Sequence, residues 1–89
     1  MRIVRTKIFT KMYLKLDRKI QDKTDETILL FANNPFDVRL KNHKLHWKYG
    51  ECRSVDITWD YRIIFKELSN DMYELIELLK VWTHSQLYG

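Results

Sequence analysis

The 89 residues leave room for one domain, and the 45% that are apolar suffice for one modest core. Two glycines and one proline exclude a low-complexity chain, and the single cysteine, Cys52, excludes an internal disulfide. The net charge of +4 is uneven, because residues 1–23 and 39–66 are basic whereas residues 24–38 and 67–89 are acidic. Basic blocks that meet in the fold would suit an anionic partner such as nucleic acid, although ordinary solvated surfaces account for them equally well.

No run approaches the roughly 20 apolar residues of a membrane span, and the apolar run at the N-terminus is too short for a signal peptide. We therefore expect a soluble cytoplasmic protein with a single domain over residues 1–89. Cys52 is expected to pack as a small strand residue rather than to act as a nucleophile.

The apolar residues near the N-terminus recur first with the period of a strand and then with the period of a helix. Ile3 and Arg5 fall on one side and Val4 on the other, which predicts a short strand at about residues 2–6. A helix of about two turns should follow, because the next apolar residues share one helical face. These are Ile8, Phe9, Met12, Tyr13 and Leu16.

A second helix is predicted directly afterwards. Asp17 is suited to be its N-cap, and Pro35 ends it at "NNPF", residues 33–36, because the residue before a proline disfavours the helical region. Its stripe consists of Leu16, Ile20, Thr24, Thr27, Ile28 and Phe31. Two successive amphipathic helices indicate a helical hairpin or an elbow.

Residues 36–50, "FDVRLKNHKLHWKYG", have no clear period and predict mostly loop, anchored by Leu40 and Leu45. Alternation then predicts one strand in "ECRSVDI" and another in "WDYRIIFK", in which Asp60 and Arg62 would share a face. "SND" at residues 69–71 predicts a turn. Residues 72–82, "MYELIELLKVW", fit either a helix, which residue propensity favours, or a strand that is buried on both faces.

The C-terminal half holds the residues that can transfer protons or bind phosphate. They are His43, His46, Arg53, Asp56, Asp60, Arg62, His84, Ser85 and Tyr88. Asp56 should lie across a tight turn at Thr58-Trp59 from Arg62, so that on these residues alone a cross-strand salt bridge is the preferred interpretation.

Several familiar chemistries lack a required element. His43-x-x-His46 is half a metal site without further ligands at a suitable spacing, no glycine frames a serine nucleophile, and Gly50 and Gly89 form no phosphate loop. Metal-free cleavage of RNA remains, because the 2′-OH of RNA is its own nucleophile. The protein then supplies a base, an acid, cations for the crowded phosphate and aromatic rings for the bases.

The segment "NPFDVRLKNHKLHWKYGECRSVDITWDYRIIFK" followed by "WTHSQLY" resembles the RelE/ParE superfamily of bacterial toxins, and within it the RelE/YafQ-like mRNA interferases. The likeness keeps its order through nearly the whole chain, and "THSQLY" is its most specific part. It implies an α+β fold with a small antiparallel sheet and two N-terminal helices packed on one face, in the order β-α-α-β-β-β. On that ground residues 72–82 are predicted to be a strand.

The resemblance also implies roles for individual residues. His84 matches the C-terminal catalytic histidine, the expected general acid, while Asp60 and His43 match an active-site aspartate and histidine. Tyr88 matches a terminal aromatic residue that positions the substrate. Basic residues expected to contact the substrate are Arg53, Arg62, Lys44 and Lys48.

Two departures from the family pattern leave the general base open. Asp56 stands where the YafQ branch has a further histidine, and a carboxylate can act as a base but cannot supply an imidazolium. His46 stands where the family usually has a glycine, and it either replaces the missing imidazole or is a loop residue. The base is therefore Asp56, Asp60 or His43.

Two active functions and one inactive alternative follow. The first is a ribosome-dependent mRNA endoribonuclease without a cofactor, the toxin of a type II toxin–antitoxin pair, with the ribosome and mRNA as partners. The second is a ParE-like inhibitor of DNA gyrase, and the third is an inactive or regulatory relative. In each case a cognate antitoxin is expected, and the free toxin is expected to be monomeric and to form a hetero-oligomer with the antitoxin.

Overall fold

The computed structural model of the chain describes residues 1–45 and 51–80. Its elements are β1 (Arg2–Arg5), α1 (Lys7–Leu14), α2 (Arg18–Asn33), a 3₁₀ turn (Val38–Leu40), β2 (His43–Lys44), β3 (Arg53–Asp56), β4 (Tyr61–Ser69) and β5 (Met72–Lys80). The predicted α+β order is confirmed, and the ambiguous segment is a strand as far as Lys80. Residues 81 and 82 of that prediction lie outside the described residues.

The five strands form one mixed sheet in the order β1-β5-β4-β3-β2. Strands β2 to β5 pair antiparallel with their neighbours, whereas β1 runs parallel to β5, so that the sheet is not antiparallel throughout. Strand β2 lies in the segment predicted to be mostly loop. Alternation identifies a strand and its two faces but gives neither its partner nor its direction, and a two-residue strand is too short to alternate.

Both helices begin at the side chains expected of N-caps. Thr6 Oγ1 accepts a hydrogen bond from the Phe9 amide at 3.0 Å, and the predicted cap Asp17 accepts one from the Ile20 amide at 2.9 Å. Phe9 is buried, but Ile8, predicted on the same face, is 58% exposed. Adjacent residues are rotated by about 100° around a helix, and this short helix faces the sheet through Phe9.

The core lies between the helices and one face of the sheet, here called the helix face, to which Val55, Ile63 and Leu75 belong. Phe31 of α2 meets Phe65 and Tyr73 edge to face, with ring centroids 4.7 and 5.1 Å apart. Because successive strand residues alternate, Ser54, Asp56, Arg62 and Ile64 belong to the opposite side, the distal face. Within the described residues, no helix is long and apolar enough to span a membrane.

Candidate active site

Strand register brings three of the predicted site residues to the distal face. His43 pairs with Ser54, and Asp56 pairs with Arg62, two residues further along β3. Residues directly opposite one another in an antiparallel pair share a face, and neighbouring rows are within reach of long side chains. The imidazole, the carboxylate and the guanidinium therefore lie on one side of β2, β3 and β4.

Both ring nitrogens of the exposed His43 have hydrogen-bond partners. Nδ1 lies 2.8 Å from the carbonyl oxygen of Lys41, and Nε2 lies 3.1 Å from the hydroxyl oxygen of the fully buried Ser54. Lys41 adopts the left-handed conformation, with φ of 51°, which costs a non-glycine residue about 1 kcal/mol. This turn directs its carbonyl to the ring, so the backbone and a side chain together fix the orientation of His43.

Arg62 pairs with Asp56, as the cross-strand interpretation expected. Nε of Arg62 is 3.3 Å from Oδ1 of Asp56, with the side chains 31% and 21% exposed. The distance is that of an ion pair, but neither atom has a hydrogen bond of good geometry, although both are buried. Asp56 also lines the edge of a cavity of about 490 Å³ between the end of β3 and α2. The pair is thus half-buried, and its Asp56 end borders this cavity.

Asp60 lies in the bend before β4 and not within the strand, so the prediction that it shares a strand face with Arg62 is wrong. The amides of Ile57 and Thr58 both donate to the carbonyl of Tyr61, at 2.9 and 3.3 Å, and this closes the predicted tight turn one residue after Asp60. The Thr58 hydroxyl donates to Oδ1 of Asp60 at 2.8 Å. The Asp60 carboxylate is half-exposed, and within the described residues the Thr58 hydroxyl is the group that orients it.

Arg53 and Lys44 are not part of this group. They pair with each other across β2 and β3, and Arg53 also pairs with Phe65, which places both on the helix face. The Arg53 Nε donates to Oδ1 of Asn42 at 2.6 Å, and its guanidinium lies 5.6 Å from the centroid of the Phe36 ring. The structure therefore places this predicted substrate contact on the other side of the sheet from His43.

Four predicted site residues, His46, Lys48, His84 and Tyr88, lie outside the described residues. Burial raises the pKa of the half-buried Cys52 thiol, which keeps it protonated and inert at neutral pH. Within residues 1–45 and 51–80 there is no group of three or more His, Cys, Asp or Glu side chains that could hold a metal ion.

Ser54, Thr58 and Trp59 border the site but were not among its predicted residues. Ser54 and Thr58 each hydrogen-bond a predicted site residue, and Trp59 is 75% exposed at the tip of the β3–β4 turn. The alternation of "ECRSVDI" places Ser54 on the polar side of its strand, but only the pairing of β2 with β3 shows its contact with His43. Alternation predicts that the strand includes Trp59, but the bend continues through Asp60 and β4 begins at Tyr61.

Three solved structures show which known proteins share this fold. The YoeB/ParE toxin from Agrobacterium tumefaciens aligns with a TM-score of 0.75 and 21% identity, over 92% of this chain and 100% of that one. YafQ from E. coli strain BL21(DE3) aligns with a TM-score of 0.72 and 23% identity, over the full length of both chains. A chain of the YoeB-YefM complex from Staphylococcus aureus aligns with a TM-score of 0.73 and 14% identity, over 92% of this chain and 98% of that one.

At these identities the likeness shows the fold, which is that of the RelE/YafQ-like toxins, as the sequence resemblance implied. No protein-family model and no curated protein matches the sequence.

Proposed function

We propose that this protein is the toxin of a toxin–antitoxin pair and that it cleaves mRNA on the ribosome. Two likenesses support this proposal. The "THSQLY" and "DYRIIF" strings resemble the mRNA interferase branch, and the fold is shared with YafQ and YoeB along nearly the whole chain. Fold alone does not give function, so the proposal depends on the site.

The observation that carries the proposal is the placement of proton-transferring and cationic groups at one end of the distal face. His43, Asp56 and Arg62 share that face, and Asp60 lies in the adjoining turn. Lys80 at the end of β5 pairs with Tyr61, the residue after Asp60. His84 follows four residues later, and four residues span at most about 14 Å, so the chain can reach this group.

The proposed chemistry needs no nucleophile from the protein. The 2′-oxygen of a nucleotide attacks the adjacent phosphorus while a base removes the 2′ proton, and the bond from phosphorus to the 5′-oxygen breaks as an acid protonates that oxygen. The products are a 2′,3′-cyclic phosphate and a 5′-OH. His84 is the proposed acid, and the base is Asp60, Asp56 or His43.

Positive charge and aromatic surface complete the proposed site. Arg62 would stabilise the additional negative charge of the phosphorane, since preorganised cations act where charge develops. Tyr88 would position the substrate and Lys48 would bind an RNA phosphate, whereas Lys44 and Arg53, on the helix face, would bind RNA phosphates only outside the cleavage site. Of the carboxylates, Asp60 has the simpler surroundings, because its described hydrogen bond engages one oxygen and leaves Oδ2 for a 2′-OH.

The proposed partner that controls the toxin is a cognate antitoxin. The neighbours with this fold include toxin-antitoxin complexes, among them YoeB-YefM from Staphylococcus aureus and DinJ-YafQ from E. coli. By analogy, this chain would be held inactive in a hetero-oligomer and would be a monomer when released.

Primer extension on a translated mRNA tests the proposal. The wild type, His84→Ala and Asp60→Asn should be compared in a reconstituted translation reaction with and without ribosomes, with Ser69→Ala, an exposed change at the far end of β4, as control. Wild type and Ser69→Ala should cut only translated mRNA. His84→Ala should be at least about 100-fold slower, as expected for loss of a general acid.

A gyrase supercoiling assay on the same preparations separates the alternatives. Loss of supercoiling with intact mRNA would replace the proposal with a ParE-like function, and neither effect would favour an inactive relative. Full cleavage by His84→Ala would show that the acid has been misassigned.

A further inference from the structure

The two partners of His43 determine which ring nitrogen carries the proton. The Lys41 carbonyl oxygen, 2.8 Å from Nδ1, can only accept a hydrogen bond, so Nδ1 must be the protonated nitrogen. In the neutral ring Nε2 is then the acceptor, and the Ser54 hydroxyl at 3.1 Å must donate to it. The carbonyl selects this tautomer, and the buried hydroxyl, which could donate or accept, stabilises it by donating to Nε2.

Ser54 is an unusual residue for its surroundings. It is completely buried, its neighbour Val55 is a core residue, and the residue opposite it on β4 is Ile64, which is also completely buried. A buried hydroxyl needs a partner, and within the described residues its hydrogen bond goes to His43 Nε2. Across the sheet this row runs from His43 through Ser54 and Ile64 to Glu77, and an alanine would fit beside Ile64, so packing alone does not explain the hydroxyl.

We propose that Ser54 is a positioning residue that holds His43 in the Nδ1–H tautomer, with Nε2 as the nitrogen that can accept a proton. Its buried position on β3 fixes the hydroxyl, and the left-handed turn at Lys41 fixes the carbonyl. The functional consequence depends on the proposed cleavage of RNA, whereas the tautomer does not. In this geometry the single lone pair of Nε2 accepts from the Ser54 hydroxyl, so His43 can take the 2′ proton at Nε2 only once that hydroxyl turns away, and Ser54 orients the ring until then.

NMR of the purified protein tests the tautomer directly. Two-bond ¹H–¹⁵N correlations of ¹⁵N-histidine distinguish Nδ1–H from Nε2–H, and the spectrum of His43→Gln assigns the signals. They should be recorded at a pH at which the ring's own titration shows it to be neutral. The wild type and the exposed control Ser69→Ala should show the Nδ1–H form, and Ser54→Ala should show a mixture of tautomers with a larger Nε2–H population.

Ser54→Thr provides the conservative comparison, because it keeps the hydroxyl at the same carbon. It should restore the Nδ1–H form. The proposal is overturned if the wild type shows mainly Nε2–H, or if Ser54→Ala keeps the wild-type tautomer, since the Lys41 carbonyl alone would then be sufficient.

Cleavage kinetics test the consequence separately. Ser54→Ala should lower kcat by roughly 10- to 100-fold with little change in KM, because a misdirected base affects the chemical step and not the binding of mRNA. Ser54→Thr should recover most of the loss. An unchanged kcat in a Ser54→Ala protein with altered tautomer would refute the positioning role. A wild type without cleavage activity would refute the proposed function and leave the NMR result to decide on the tautomer.

Discussion

The half-buried pair of Asp56 and Arg62 provides a quantitative test of the candidate site. We propose a double-mutant cycle with Asp56→Asn, Arg62→Gln and the double variant, which remove the charges and approximately preserve size. The pair Arg18 and Asp22 on α2 provides a matched cycle. Its Nε–Oδ1 distance is 3.2 Å, against 3.3 Å for the site pair, but its side chains are 86% and 59% exposed.

The expected magnitude follows from burial. Exposed pairs contribute about 0.2–1 kcal/mol, whereas removal of one partner of a fully buried pair costs about 3–5 kcal/mol. The side chains of Asp56 and Arg62 are 21% and 31% exposed, and the two nearest atoms are buried without a well-formed hydrogen bond. Each single change should therefore cost about 1–2 kcal/mol, with a coupling energy of about 1 kcal/mol. The Arg18 and Asp22 cycle should give a coupling energy of about 0.3–0.5 kcal/mol or less.

Urea denaturation of the seven proteins, wild type included, measures the free energies of unfolding. Equal coupling energies in the two cycles, or a value below about 0.3 kcal/mol for Asp56 and Arg62, would contradict the reasoning from burial. Cleavage assays at a temperature below the melting transitions of all seven proteins separate effects on stability from effects on the chemical step. If Arg62 contacts the reacting phosphate, Arg62→Gln should lower cleavage by about 100-fold, whereas Arg18→Gln should leave it unchanged.

Two further predictions concern regions outside the site. Hydrogen bonds from the Arg39 side chain and backbone lower the pKa of Asp37 from 3.8 to about 2. The loss of stability caused by Asp37→Asn should therefore be constant above about pH 4 and shrink as the pH falls towards 2. Urea denaturation at several pH values measures this loss, and a difference that does not depend on pH would refute the prediction. Phe31→Ala should lower the free energy of unfolding by about 3–5 kcal/mol, because Phe31 is 1% exposed. Leu29→Ala on the same helix should change it by less than about 0.5 kcal/mol, because Leu29 is 71% exposed. Similar melting temperatures for the two variants would contradict the assigned core.

Local signals in the sequence were sufficient for the helices and for most of the strands. The cap at Asp17, the end before Pro35 and the period-two alternation of residues 61–66 each depend on neighbouring residues, and each agrees with the structure. The parallel pairing of β1 with β5 and the short strand β2 depend on contacts between distant segments, which no local pattern encodes. The same distinction explains why His43 could be proposed from sequence while its partner Ser54, 11 residues away, could not.

The position of Arg53 shows why residue type alone did not define the site. Its guanidinium lies against the Phe36 ring and donates to Asn42, whose side-chain amide donates in turn to the Pro35 carbonyl at 2.8 Å. Asn42 is the residue before His43, so these contacts hold the loop that carries the imidazole. Loss of the Arg53 side chain would therefore remove one of the two hydrogen bonds that hold the Asn42 side chain, and would disturb His43 from the opposite face of the sheet. A loss of activity in an Arg53 variant would therefore indicate phosphate contact only if His43 kept its tautomer in that variant.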